Sequence, residues 1–354
     1  MRSFLVAAAA FVATVVARSV PIDTPAVSAR QAKLPSTFKW SSTDGLIYPK
    51  KDSHQVAAIK DPSIIQVNGV YHVFASTAKA EGYNLVYFNF TDFSKANSAP
   101  FYYLDQSPIG TGYRAAPEVF YMTSQKLWYL IYQNGNAAYS TNKDISNPAG
   151  WSAPQNFYPN GTPATITNNI GKGYWVDMWV ICDKSNCHLF SSDDNGHLYR
   201  SQTSVSSFPK GMSEPVIAMQ TTSAYDLYEA SNVYRISDSQ YLLLVECIGT
   251  GSSPGGTRYF KSWTSSSLSG GWTPLAATQQ NPFMGATNVV FASGKSWTQS
   301  ISHGELIRTV VDQSLTIQPC SMRYLYQGIN PSASADYNAL PWVLGLLTEV
   351  GNSC

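Results

Sequence analysis

The fold is decided by a stretch that reads Asp61-Pro62-Ser63-Ile64-Ile65 and, after a turn, Tyr71-His72-Val73-Phe74. It opens on a polar residue, continues through an apolar run, turns, and ends in an aromatic run, which is the pattern of two short paired strands. Past residue 40, the sequence carries almost no sustained helical periodicity, and turn-forming residues separate many runs of this kind. The sequence therefore predicts an all-β protein.

The same layout recurs along the chain at a nearly constant period. The five repeats begin with polar residues at Asp61, Glu118, Asp177, Glu229 and Asn288. A unit of about 55–60 residues with three or four short strands is the size of a propeller blade with long loops. We therefore predict a five-bladed β-propeller that forms a single domain over residues 34–354. A long β-sandwich or jelly roll is the alternative, but it does not explain the polar start of every repeat.

The polar starts suggest where the chemistry lies. In a propeller, the first strand of each blade lines the central axis, so residues at these starts converge on one end of the channel. Four of the starts are the carboxylates Asp61, Glu118, Asp177 and Glu229, in a chain of which only 13% is charged. Carboxylates in one confined site separate each other's pKa values, and glycosidic-bond cleavage needs one protonated and one ionised carboxyl group. We predict a glycosidase site there, with Glu118 as the member best explained by a structural role.

Composition narrows the class of partner. The 354 residues carry a formal net charge of +1, and 13% of them are aromatic. A chain without basic runs and with almost no net charge is a poor match for nucleic acid or an anionic membrane. A surface rich in hydroxyls and aromatic rings suits a neutral polar ligand. We expect a monomer.

The N-terminus predicts export. Arg2 precedes an apolar run from Phe4 to Val16, and small residues follow it. This run is too short to span a bilayer, which takes about 20 apolar residues. We predict a signal peptide at residues 1–17 and a leader, pro-segment or disordered N-terminus at residues 18–33. Two glycosylation sequons agree with a secreted protein, and they begin at Asn89 and Asn160.

The five cysteines fit an oxidising compartment, although an odd number leaves at least one unpaired. Cys182 and Cys187 flank a polar turn and could bridge a hairpin. Cys320 and Cys354 would form a second bridge that tethers the C-terminus. Cys247 lies in an apolar run and is predicted to be a buried free thiol.

Several motifs, in order, identify a family. They are Lys60-Asp61-Pro62-Ser63, Trp175-Val176-Asp177-Met178, Tyr228-Glu229-Ala230-Ser231-Asn232, Ser302-His303-Gly304-Glu305-Leu306-Ile307-Arg308, Asp336-Tyr337-Asn338 and Leu344-Gly345-Leu346-Leu347-Thr348. From about Phe38 to Glu349, the chain resembles the α-L-arabinofuranosidases of glycoside hydrolase family 62. The resemblance implies a secreted five-bladed propeller that releases arabinofuranose side chains from arabinoxylan and its oligosaccharides, with inversion at the anomeric carbon.

The resemblance also implies roles for the carboxylates. Asp61 would be the general base that holds the attacking water, and Glu229 would be the general acid. Asp177 would tune the pKa of the acid and orient it. Lys60 and Arg258 would contact the sugar or the carboxylates.

The remaining implied roles concern the sugar pocket and a metal. Tyr337 and Asn338 would line the arabinose pocket and the xylan path above it. His303 corresponds to an axial histidine of the family, near a central Ca²⁺ whose other ligands are mostly water. The family pattern would place a basic residue at position 343, where this chain has Val343.

Two other functions remain open at this point. The first is another propeller glycosidase, as in family 43, which would act on arabinan or on β-xylosides with the same three carboxylates and different pocket walls. The second is a propeller that binds carbohydrate without catalysis.

Overall fold

The computed structural model describes residues 34–351, in which 21 strands form five sheets. The first strand, β1 (Trp40–Ser42), belongs to the last sheet. Blade 1 contains β2 (Ala58–Val67), β3 (Val70–Lys79), β4 (Gly82–Phe90) and β5 (Tyr102–Tyr103). Blade 2 contains β6 (Ala115–Met122), β7 (Leu127–Gln133), β8 (Ala137–Asn142) and β9 (Gln155–Asn156). Blade 3 contains β10 (Val176–Cys182), β11 (Asn186–Ser192), β12 (His197–Ser204) and β13 (Val216–Gln220).

The chain continues through two more sheets. Blade 4 contains β14 (Glu229–Ser237), β15 (Gln240–Gly249), β16 (Thr257–Ser265) and β17 (Thr273–Pro274). Blade 5 contains β18 (Val289–Phe291), β1, β21 (Val343–Glu349), β20 (Arg323–Gly328) and β19 (Ser302–Leu306), in that spatial order. The helical segments are the α-helix Ala164–Asn169 and the 3₁₀ turns Phe93–Ser98, Leu104–Gln106, Pro148–Gly150, Ala224–Asp226 and Tyr337–Ala339. In residues 34–351, no helix has the length and apolarity needed to cross a bilayer.

The innermost strands close a ring. β2, β6, β10, β14 and β19 contact one another in succession, and β19 returns to β2. Within each blade, the strands are antiparallel to their neighbours, except that β1 pairs with β18 in parallel. The all-β, five-bladed propeller is thus confirmed.

The fifth repeat does not begin where the sequence analysis placed it. Asn288 precedes β18, which is the outermost strand of blade 5, and the axial strand is β19 instead. The side chain of Val290 is 70% exposed, whereas all five residues of β19 are buried. A short apolar run predicts a strand but not its place in a sheet, so the regular spacing was extended one blade too far.

The inner strands share a local irregularity that shapes the end of the channel. Each carries a β-bulge near its start, where one extra residue is left out of the ladder. At four of the bulges a non-glycine residue has positive φ, and these residues are Asp61, Ala116, Asp177 and Ala230. Backbone in this region costs about 1–3 kcal/mol per residue, so the surroundings must hold it.

Side chains of neighbouring blades hold four of these bulges. The N–H of Asp61 donates to Gln327 Oε1 (2.7 Å), and the N–H of Ala116 donates to Ser76 Oγ (2.8 Å). The N–H of Asp177 donates to Gln133 Oε1 (2.7 Å), and the N–H of His303 donates to Glu246 Oε2 (2.6 Å). Each of the four acceptors lies on the second strand of the preceding blade, where it pairs with the residue that comes just before the bulge of that blade. We call the side chains that accept from bulge N–H groups latch residues.

The latch between blades 3 and 4 is built differently. Ser192 lies opposite Val176, in the position that the latch residues occupy in the other blades. Its buried Oγ, however, has no hydrogen-bond partner among residues 34–351. The N–H of Ala230 donates instead to Asp177 Oδ2 at 2.7 Å. One carboxylate of the inner strand therefore joins its blade to the next.

The cysteine predictions have different outcomes. Cys182 and Cys187 form a disulfide across the β10–β11 hairpin, and Cys247 is a buried free thiol, so both predictions are confirmed. The predicted Cys320–Cys354 bridge involves Cys354, which lies outside the described residues. The predicted signal peptide (1–17) and leader (18–33) also lie outside them.

Candidate active site

A cavity of about 550 Å³ opens at the end of the channel where the bulges lie. Its wall includes most of the side chains that the sequence analysis selected, namely Lys60, Asp61, Asp177, Glu229, His303 and Tyr337. These residues come from blades 1, 3, 4 and 5 and from the turn before β21, so only the closed ring brings them together. The cavity is large enough for a pentose and its immediate neighbours.

Two of the carboxylates meet at a histidine. His303 Nδ1 lies 3.5 Å from Asp61 Oδ1 and 3.6 Å from Asp177 Oδ2. Burial, together with the nearby Glu229 and Asp61 carboxylates, raises the pKa of Asp177 well above its usual range. The bond from the Ala230 N–H opposes that rise and fixes the orientation of the Asp177 carboxylate.

The third carboxylate is held by a buried arginine. Arg258, only 3% exposed, donates through Nη1 to Glu229 Oε1 (2.5 Å) and to Glu246 Oε1 (2.9 Å). Its Nε donates to Gly255 O at 2.9 Å, and its guanidinium lies 4.9 Å from the ring centre of Tyr228. Arg258 thus contacts the carboxylates, which is one of the two contacts expected of it.

Glu246 is a site residue that the sequence analysis missed. Burial raises its pKa to about 7, against the opposing effect of Arg258. It accepts hydrogen bonds from the Ser302 hydroxyl at 3.0 Å and from the His303 N–H at 2.6 Å, so it supports the axial histidine as well as Arg258. A charged residue inside the apolar run Leu242–Cys247 was the available signal.

Lys60 lies in an aromatic cage. Its Nζ is 5.0 Å from the ring centre of Tyr83, 5.2 Å from that of Tyr337 and 5.9 Å from that of Trp342, and it donates to the Tyr83 hydroxyl at 3.3 Å. Burial alone would lower the pKa of Lys60, but Tyr337 and Asp61 outweigh it and raise that pKa well above its usual range. The cage therefore presents a fixed positive charge beside Asp61.

Tyr337 and Asn338 share a 3₁₀ turn before β21. Tyr337 is 50% exposed and lines the cavity. Asn338 is not among the described residues that line this cavity, so the structure places only the first of the pair at the wall.

Glu118 does not reach the cavity, because it lies two residues beyond the bulge residue Ala116, one layer deeper in the channel. Its carboxyl is fully buried, and its Oε2 accepts from the Val180 N–H at 2.6 Å, which joins blade 2 to blade 3. The expectation that all four strand-start carboxylates converge is therefore wrong for Glu118. The counterpart of Asp61 in blade 2 is Ala116, the positive-φ residue of the bulge, so the sequence repeat placed the start of this blade two residues too late. The structural role that the sequence analysis favoured for Glu118 fits this position.

Other residues of the wall carried no recognised signal. Tyr83 and Tyr113 flank the cavity, and Tyr113 OH accepts a hydrogen bond from the latch residue Gln133. Asp194 enters from the hairpin turn Asp193–Gly196, whose sequence gives no hint that it faces the axis. Residues 34–351 contain no group of three or more His, Cys, Asp or Glu side chains arranged to hold a metal ion.

Comparisons with known proteins agree with this geometry. The sequence model of glycosyl hydrolase family 62 matches residues 39–348. Alpha-L-arabinofuranosidase C of Cellvibrio japonicus is 40% identical over 322 residues, which are 89% of this chain but only 48% of that protein. This chain thus spans about half the length of that relative.

Two solved structures are similar over nearly their whole length. The catalytic domain of a Coprinopsis cinerea family 62 α-L-arabinofuranosidase is 64% identical with a TM-score of 0.87, covering 90% of this chain and 98% of that one. A family 62 hydrolase in complex with xylotriose is 60% identical with a TM-score of 0.86, covering 89% and 98%. With a family match over most of its length and the axial carboxylates gathered in one cavity, the chain belongs to glycosyl hydrolase family 62.

Proposed function

We propose that the protein is an inverting α-L-arabinofuranosidase that releases arabinofuranose side chains from arabinoxylan and arabinoxylo-oligosaccharides. The observation that carries this proposal is the common cavity of Asp61, Asp177 and Glu229 in a family 62 chain. The Coprinopsis cinerea relative is an α-L-arabinofuranosidase, and the complex of another relative with xylotriose supports a xylan backbone as the main-chain ligand.

In the proposed reaction, Asp61 is the general base and Glu229 the general acid. A water held by Asp61 attacks the anomeric carbon of the arabinofuranose, and its proton passes to Asp61. The bond from that carbon to the glycosidic oxygen breaks, and Glu229 gives its proton to the departing oxygen. One displacement by water inverts the anomeric carbon, and solvent then returns the proton from Asp61 to Glu229.

The neighbouring residues position these two groups. Asp177 is the orienting carboxylate, because its bond to the Ala230 N–H fixes the chain next to Glu229. Arg258 holds Glu229 from the other side and is itself held by Glu246. Lys60 and Tyr337 would bind the sugar hydroxyls at the base side of the cavity, and Asn338 would contact the xylan chain outside it.

Calcium is a separate proposal. Ca²⁺ prefers six to eight oxygen ligands, and the described side chains around His303 do not supply such a set. A bound ion would therefore be held by His303 and mostly by water, and it would offset the negative charge of Asp61 and Asp177. We derive no step of the reaction through it. Dialysis against EDTA should lower the melting temperature and added Ca²⁺ should restore it; an unchanged melting curve would remove calcium from the proposal.

We also propose that the protein is a secreted, monomeric glycoprotein that takes part in xylan degradation. The apolar segment near the N-terminus and the sequons at Asn89 and Asn160 support this proposal. Expression in a eukaryotic host should place the protein in the medium, and glycosidase treatment should lower its apparent mass. Retention in the cell would contradict it.

The direct test is to identify the product. Incubation with wheat arabinoxylan should release arabinose, and NMR of the first product should show the β-anomer, inverted from the α-linkage. Glu229→Gln and Asp61→Asn should each abolish release in a protein that remains folded. Preferential release from linear arabinan or an aryl xyloside would favour a family 43-like specificity. Binding of arabinoxylan without any release by the wild-type protein would favour a carbohydrate-binding propeller.

A further inference from the structure

The hairpin turn that joins β11 to β12 is rigidly held beside the active site. The buried Asp193 carboxylate accepts hydrogen bonds from the N–H groups of Asn195 (2.9 Å) and His197 (3.1 Å) and from the Tyr199 hydroxyl (2.8 Å), and it contacts His197 Nδ1 at 2.7 Å. Asp194 follows it with φ of +54°, a conformation that Asp tolerates in turns. The turn that carries Asp194 is therefore held in place by the neighbouring Asp193.

This turn brings Asp194 to the cavity of the proposed acid. Asp194 and Glu229 line the same cavity, and their carboxyl groups lie within hydrogen-bonding reach of each other. Asp194 Oδ1 is buried and has no hydrogen-bond partner in the described part of the chain. Two ionised carboxylates cannot hydrogen-bond to each other, so a contact of this kind requires a proton on one of them.

The charges around Asp194 favour the protonated form. Burial is the largest cause, and the carboxylates of Glu229 and Asp177 add to it, so that together they raise the pKa of Asp194 to about 10 against the opposing effect of Arg258. Asp194 also lines a second cavity, together with Lys172 and Tyr228.

We propose that Asp194 is a positioning residue that shares one proton with Glu229 and so keeps the acid loaded for transfer to the glycosidic oxygen. The inference deepens the proposed function and rests on it. Arg258 alone would favour ionised Glu229, because a guanidinium stabilises the carboxylate it contacts. A second carboxyl group in contact opposes that effect, because a fully deprotonated pair would hold two negative charges together. In turnover, the shared proton leaves Glu229 for the departing oxygen and returns to the pair from solvent.

The test compares two substrates that differ in their need for an acid. An arabinoxylo-oligosaccharide has a poor leaving group and needs protonation, whereas 2,4-dinitrophenyl α-L-arabinofuranoside does not. For Asp194→Asn and Asp194→Ala, we expect kcat on the oligosaccharide at pH 7 to fall on the order of 10- to 100-fold. The alkaline limb of its pH profile should move at least one pH unit lower, because the carboxyl partner that shares the proton is then missing. On the dinitrophenyl substrate, kcat should fall less than about threefold, since it needs little acid catalysis.

Controls separate this proposal from the function on which it rests. Asp238→Asn changes an exposed acid in another hairpin turn and should leave both substrates unaffected. Glu229→Gln should show the same leaving-group dependence more strongly; if it shows none, the acid assignment itself is wrong. If Glu229→Gln confirms the acid, then an equal loss of kcat on both substrates in the Asp194 variants, with the alkaline limb unmoved, would assign Asp194 a structural role. A rise in KM alone would make it a substrate contact, and either result would overturn the proposal.

Discussion

The latch between blades 3 and 4 can be tested by replacing Asp177 and Ser192, singly and together. Asp177→Asn and Asp177→Ala both remove the carboxyl group, but only Asn keeps an oxygen that can accept from the Ala230 N–H, now bonded at 2.7 Å. Ala230 is fully buried, so loss of the acceptor leaves its N–H without a partner, which costs about 1–3 kcal/mol. The catalytic cavity is adjacent and can admit water, which favours the lower part of that range.

Ser192 provides the second half of the cycle. Its hydroxyl occupies the register position from which Ser76 reaches the Ala116 N–H at 2.8 Å, so it can replace the missing acceptor once the Asp177 carboxylate is gone. Ser192→Ala should therefore cost nothing in the wild-type background and about 1 kcal/mol or more in Asp177→Ala.

Urea denaturation of the six combinations of Asp, Asn or Ala at position 177 with Ser or Ala at position 192 gives the coupling energies, and both Asp177 variants should be inactive. The reasoning is refuted if, in the Ser192→Ala background, the Asn and Ala variants at position 177 unfold with the same free energy.

Three further predictions concern Glu118, Lys60 and Asp194. Glu118→Ala should lose about 1–3 kcal/mol of stability, because the main-chain N–H of Val180 then has no acceptor. Glu118→Gln should lose less, and both variants should keep their activity per folded molecule. A protein that is fully stable but inactive would contradict this. Lys60→Met should lower kcat/KM about 100-fold, which is about 3 kcal/mol of transition-state stabilisation. The apolar side chain has a similar length, so it fills the aromatic cage but removes the positive charge. An unchanged kcat/KM would exclude Lys60 from binding and catalysis. Because the pKa of Asp194 is raised to about 10, the folded state binds its proton more tightly than the unfolded state between about pH 4 and pH 10, and wild-type stability falls as pH rises through that window. Asp194→Asn should therefore be more stable than the wild type at pH 8 and equal to it below pH 4, and urea midpoints that differ equally at both pH values would rule this out.

The sequence predicted the blades where local pattern and spatial position coincide. Blades 1 to 4 each begin with an axial strand soon after the previous blade ends, so the spacing of polar starts located them. Blade 5 borrows β1 from the other end of the chain and places a long connection before β19, and no local period encodes that arrangement. The apolar triplet of β18 met the sequence criterion for a strand and was therefore assigned to the wrong position.

The sequence predicted the site residues that lie in motifs on the inner strands, and it missed the residues that the second strands and their turns supply. Asp61, Asp177 and Glu229 begin inner strands and could be found from the repeat. Glu246 lies on the strand behind Glu229, and Asp194 lies in a turn, so both become visible only when the register and the ring are known. The aromatic cage of Lys60 combines residues from blade 1 with residues that precede β21, and their separation in sequence conceals such a contact.

The asymmetry of the site follows from the latches. A five-bladed ring gives every bulge the same requirement, an acceptor for one buried N–H, and uncharged side chains meet it at three junctions, through Ser76, Gln133 and Gln327. At the two junctions on either side of blade 4, the acceptor is a carboxylate, Asp177 on one side and Glu246 on the other. Glu229 begins the inner strand of that blade, next to the bulge that Asp177 holds, and Glu246 anchors the arginine that contacts Glu229. A structural requirement repeated five times thus becomes a catalytic environment at one blade only, because two of the five acceptors are carboxyl groups.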